Sequence, residues 1–108
     1  MDTIVYIRPM FTIIESETYK AWFGQLRDAT AKARINVRIR RAEIGNLGDW
    51  KSVGDGVNEM RIDYGPGYRV YFARQGEVVI LLLCGGDKRT QTADIKRSKQ
   101  LLKELKLE

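Results

Sequence analysis

From Val57 to Cys84 the apolar residues recur every second position, and glycines interrupt the pattern at Gly65, Gly67 and Gly76. That period belongs to strands and not to helices, so this part of the chain is bound to a sheet built from hairpins. The segments Trp50 to Val53, Val57 to Tyr64, Tyr68 to Arg74 and Glu77 to Cys84 read as four strands. A three-residue loop, 65–67, pairs Tyr64 with Tyr68, Ile62 with Val70 and Met60 with Phe72. The apolar side chains then share one face. The same register sets Glu59, Arg61, Asp63, Arg69 and Tyr71 on the other face, with Asp63 opposite Arg69 and Arg61 opposite Tyr71. The last strand is apolar on both faces, which places it inside the sheet.

Upstream, Met10 to Ile14 reads as a first strand, with Tyr6 and Pro9 in an approach segment. Ser16 or Glu17 opens a helix to Leu26, whose Tyr19, Trp22, Phe23 and Leu26 follow i, i+3, i+4, i+7 spacing. Asp28 and Thr30 are both suitable N-caps for a second helix. There Ile35, Val37 and Ile39 alternate as in a strand, but the length from Ala31 to Ile44 and the stop at Gly45-Asn46-Leu47-Gly48 favour a helix. The two helices are expected to pack as an αα-hairpin. A closing helix runs from about Thr90 to Leu105, with Ile95, Leu101, Leu102 and Leu105 inward. The order β-α-α-β-β-β-β-α predicts an α+β fold with a mainly antiparallel sheet, one domain over residues 1–108.

An apolar fraction of 44% supports one packed core. The start MDTIVYIRPMF lacks the basic n-region and small-residue cleavage site of a signal peptide. No segment has the length of a bilayer span. The single cysteine, Cys84, has no partner for a disulfide and lies in an apolar strand, so a reducing cytoplasm and a core role are expected. The net charge of +5 gathers at Lys32 to Arg41 and Lys88 to Lys106. Such a distribution suits an anionic partner, and equally a solvated helix surface.

Several chemistries are excluded. Without histidine, and with one cysteine, neither a conventional zinc site nor a histidine-dependent triad is possible. There is no P-loop and no GxGxxG turn, and the carboxylates are too dispersed for a two-metal nuclease. Glu59, Arg61, Arg69, Lys88 and Arg89 remain. They form either ordinary cross-strand ion pairs on a solvated face or a site for an anion. Gly85-Gly86 is expected to release the backbone after the last strand and aim Lys88 across the sheet toward the arginines.

GYRVYF at 67–72 and GDKRTQxxDI at 86–95, with the IGNLGDWK helix end and the EMR strand, resemble the RelE/ParE superfamily of addiction-module toxins. The similarity is closest to the HigB-like killer-protein branch and spans nearly the whole chain. It implies the toxin of a type II toxin-antitoxin module, a cytoplasmic messenger-RNA endonuclease acting with the ribosome. No metal or cofactor is implied. Arg61 and Arg69 would hold the scissile phosphate, Lys88 would protonate the leaving oxygen, and Glu59, on the Arg61 face, is the candidate base. Arg89, Tyr71, Lys32 and Arg38 are the expected RNA contacts, with Tyr71 stacking on a base or bonding the phosphate. The implied partners are the ribosome, messenger RNA and a helix-turn-helix antitoxin, with no membrane contact and no DNA binding by the chain alone. Many ribosome-dependent members carry a histidine or tyrosine in the last helix or at the C-terminus; this chain has neither. A gyrase-poisoning toxin without nuclease activity, or an inactive remnant that only binds antitoxin, therefore remains open.

Overall fold

The computed structural model describes residues 10–106; the approach segment with Tyr6 and Pro9 lies outside them. The chain runs β1 (Thr12–Glu15), α1 (Glu17–Gln25), α2 (Ala29–Glu43), β2 (Trp50–Gly54), β3 (Val57–Ile62), β4 (Tyr68–Gln75), β5 (Val79–Asp87), a 3-10 turn (Lys88–Thr90) and α3 (Gln91–Lys106). The order differs from the expected one by that turn. The five strands form one sheet in the order β1-β5-β4-β3-β2. All neighbours are antiparallel except β1 and β5, which run parallel with Ile13 beside Ile80.

Both faces of the sheet are covered. On one, Met60, Ile62, Val70, Phe72, Ile80 and Leu82 meet Tyr19 of α1 and Ile35 and Ala42 of α2. On the other, Val57, Tyr71, Ala73, Leu81 and Leu83 meet Leu102 of α3. The face expected to be solvated thus carries a helix over its middle. Of the two helices expected to pair as a hairpin, α1 seats over β5 and α2 against β1 and β3, and Lys32 of α2 lies over the Phe23 ring of α1.

Local chemistry explains the helices. Ser16 caps α1 by accepting the Tyr19 N–H at 3.0 Å, and its hydroxyl donates to the Leu83 carbonyl at 2.7 Å, tying the helix start to the sheet. Asp28 caps α2 through the Thr30 and Ala31 N–H groups. The strand-like alternation in α2 resolves into one buried residue, Ile35, one half-buried, Ile39, and one exposed, Val37. On α3, Leu102 is buried, Ile95 and Leu101 are half-buried, and Leu105 is exposed instead of inward.

Two expectations about the sheet are corrected. The β3–β4 register pairs Arg61 with Arg69, Ile62 with Tyr68 and Met60 with Val70, two positions from the expected one. The loop is 63–67 because Tyr64 leaves the ladder: its hydroxyl donates to Asp28 at 3.3 Å and the Arg34 guanidinium sits 4.7 Å over its ring. A two-residue slip keeps every side chain on its face, so the hydrophobic pattern alone does not detect it. Gly85 and Gly86, expected in a turn, are strand residues of β5. They lack side chains because a Cβ at Gly85 would stand 2.1 Å from the Trp22 ring and one at Gly86 1.9 Å from the Asp94 carboxylate. The turn itself is made by Asp87, which caps the 3-10 turn in a capping box with Thr90.

Gly85→Ala should therefore destabilise the fold by about 1–3 kcal/mol through overpacking against Trp22. Urea unfolding checks this, and an unchanged midpoint would mean that Trp22 shifts without cost.

Candidate functional site

The β3–β4 ladder sets Arg61 directly opposite Arg69. Like charges so placed repel, and the sheet holds them by a carboxylate two residues away on the same face. Glu59 is fully buried, with Oε1 3.3 Å from Arg61 Nε and Oε2 3.8 Å from Arg69 Nε. Neither Nε contact has hydrogen-bond geometry, so the attraction is Coulombic rather than directional. Oε2 accepts from Gln91 Nε2 at 2.7 Å and from the Tyr71 hydroxyl at 3.3 Å. Gln91, the last residue of the GDKRTQ segment, opens α3, and its contact with Glu59 was not among those expected from the sequence.

The arginines differ in exposure. The side chain of Arg69 is 12% exposed and that of Arg61 38%. Arg69 Nη1 donates to the Gly67 carbonyl at 2.9 Å. Both open on a cleft of about 300 Å³ lined also by Asp49, Asp63, Gly67 and Lys88. Gly67, at φ 81, takes a left-handed conformation natural to glycine, and a Cβ there would lie 3.2 Å from Arg69 Nη1 and 3.6 Å from Lys88 Cβ. The glycine thus lets the Arg69 and Lys88 side chains close on one point. Asp49 and Asp63 were not read as site residues in the sequence; the register that paired Asp63 with Arg69 concealed the latter.

Of the expected site residues, the structure brings together Arg61, Arg69, Lys88 and Glu59. Glu59 lies beneath the guanidiniums with no exposed surface, so it stands as their counter-charge and not as a base open to substrate. Tyr71 is fully buried and cannot stack on a base. Burial and the Glu59 carboxylate push its phenol well above the usual range. Arg89 is exposed and does not line the cleft; its guanidinium is bonded to Asp87 through both Nε and Nη2, which holds the Asp87 carboxyl below its ordinary range. Lys32 sits 5.1 Å over the Phe23 ring. Arg38 donates to the carbonyls of Arg61, Leu47 and Asp49, the last two at 3.0 and 3.2 Å, so it clamps the α2–β2 loop to β3 behind the cleft. Three of its five N–H donors are thus spent on backbone carbonyls. Cys84 is buried as expected, and burial raises its thiol.

Glu59→Gln should cost about 2–4 kcal/mol: removing the charge of a buried pair is expensive, and partial exposure of Arg61 moderates the loss. Adding Arg69→Met to that variant should recover part of it, a coupling readable in a double-mutant cycle by denaturant unfolding. Additive losses would show that Glu59 does not balance the arginines.

No protein-family model matches the chain. No helix among the described residues is long and apolar enough to cross a membrane. The chain is similar to an uncharacterized protein of Haemophilus influenzae, 54% identical over 90 residues, an alignment covering 83% of this chain and 91% of the relative. At that identity and coverage, the chain belongs to the same protein family as the Haemophilus influenzae protein.

Proposed function

We propose that this protein is a RelE-like toxin of a type II toxin-antitoxin module, a cytoplasmic endonuclease that cuts messenger RNA on the ribosome without a metal. One observation carries the reading: two arginines face each other across a ladder, anchored by a buried carboxylate, and open with Lys88 on one cleft. Guanidiniums fixed by a rigid sheet suit the non-bridging oxygens of a phosphate, because they need no reorganisation when charge develops. In the proposed reaction the RNA 2′-oxygen bonds to the adjacent phosphorus as the bond to the 5′-oxygen breaks. Lys88 gives its proton to the leaving oxygen. The proton of the 2′-hydroxyl goes to a carboxylate that lines the cleft, and Asp63 takes the place first assigned to the buried Glu59.

The burial of Glu59 and the lack of histidine favour a second reading, a toxin of the same superfamily that poisons gyrase by protein contact. Controlled expression in a bacterium with mapping of RNA 5′ ends separates the readings. Codon-linked cuts support the first; an SOS response without cuts supports the second. Unchanged growth would leave only an antitoxin-binding remnant. In the first two readings a helix-turn-helix antitoxin encoded next door restores growth.

Arg69→Ala should abolish toxicity and lower cleavage of ribosome-bound message by about thirtyfold to several hundredfold, about 2–4 kcal/mol of transition-state stabilisation. Arg69→Lys should rescue only part, since an ammonium cannot reproduce a bidentate grip. A variant that melts like the parent and still cuts would remove the phosphate role.

A further inference from the structure

The charges around the cleft nearly cancel. Arg61, Arg69 and Lys88 face Asp49 and Asp63, with Glu59 behind them. Such a site can hold one phosphate at short range but attracts a polyanion weakly at a distance. The surplus positive charge is elsewhere. Of the five cations of α2, Lys32 and Arg34 lie over aromatic rings and Arg38 bonds to carbonyls, while Arg40 and Arg41, at the helix end, make no ion pair or side-chain hydrogen bond among the described residues. On α3, Lys96, Arg97 and Lys103 likewise make no ion pair or side-chain hydrogen bond among the described residues, and they gather at one groove.

These residues share a groove of about 540 Å³ with Lys99 and Asp55. Ser98 and Leu102 are buried against the sheet, which turns Lys96, Lys99 and Lys103 outward along one side of the helix at i, i+3, i+7. Lys99 is steadied by Asp55 at 3.3 Å, and its Nζ lies over Gly54, where a Cβ would stand 3.2 Å away. From Lys96 to Lys103 the helix rises about 10 Å, comparable to the run of two or three successive phosphates on a nucleic-acid strand. The lining offers Ala93 as its single apolar residue and no aromatic anchor. Stable protein interfaces depend on buried aromatic or aliphatic anchors, whereas backbone recognition depends on spaced cations.

We infer that the outer face of α3 is a docking track for the phosphate backbone of RNA, independent of base sequence and separate from the arginine cleft. α3 begins at Gln91, which holds Glu59, so the track leads away from the cleft along one rigid element. It binds RNA whether or not the cleft cuts it.

The test is fluorescence titration of the purified chain with two short duplex RNAs of unrelated sequence over a salt series. The triple variant Lys96→Gln/Lys99→Gln/Lys103→Gln should bind both RNAs more weakly and lower the log–log salt slope by about three, one per lysine. Lys96→Gln/Lys103→Gln, which touches no ion pair, should lower it by about two while melting as the parent does. Arg69→Ala should change the slope by about one at most, so loss of cleavage and loss of docking are read separately. Unchanged slopes in the lysine variants would overturn the inference. So would polyglutamate binding as tightly as RNA at the same salt through the same lysines, which would assign the face to an acidic protein.

Discussion

The repulsion between Arg61 and Arg69 is the constraint around which one end of this molecule is organised. Two cations opposite each other in a ladder are tolerable only with a counter-charge, and a carboxylate in that position is tolerable only when its oxygens are engaged. Glu59 meets the first need; Tyr71 and Gln91 engage its Oε2, and its Oε1 has only the Coulombic contact with Arg61 at 3.3 Å. Because Gln91 belongs to α3, the polar cluster also fixes where the last helix starts. The placement of Lys88, three residues earlier in the 3-10 turn, follows from the same contact. Charge balance in the sheet and the geometry of the cleft are one problem with one solution.

Much of the fold was legible because hydrophobic period is a direct image of burial. The meander, the caps at Ser16 and Asp28 and the helix ending at Gly45 all come from local rules that tertiary structure did not override. The misreadings arose where one residue serves two purposes. Tyr64 fits the strand pattern, yet its ring and hydroxyl are worth more against Arg34 and Asp28 than in a cross-strand pair. Gly85 and Gly86 look like turn residues, yet they are absences of side chain required by Trp22 and Asp94. Neither fact can be read without knowing which helix lies over which strand.

The site divides along the same line. That Glu59, Arg61, Arg69 and Lys88 converge was visible, since period two and a following turn carry them to one face. Their roles were not. Tyr71 and Glu59 were placed on a solvated face because nothing local announces that α3 crosses it. Arg38 resembles any basic helix residue until its three carbonyl partners are seen. A cation in a sequence does not reveal whether its charge is already used.

The pairing of β1 with β5 has a consequence for how the chain comes together. Ser16 and Leu83, joined through a hydroxyl and a carbonyl, stand 67 residues apart. Every other strand pair joins sequence neighbours. Loop-closure entropy grows with separation, so the meander from β2 to β5 can assemble on local contacts before the β1 seam closes. On a ribosome the first strand and both helices emerge before the edge that completes them exists. The exposed flank of β5 is the last surface to find its partner.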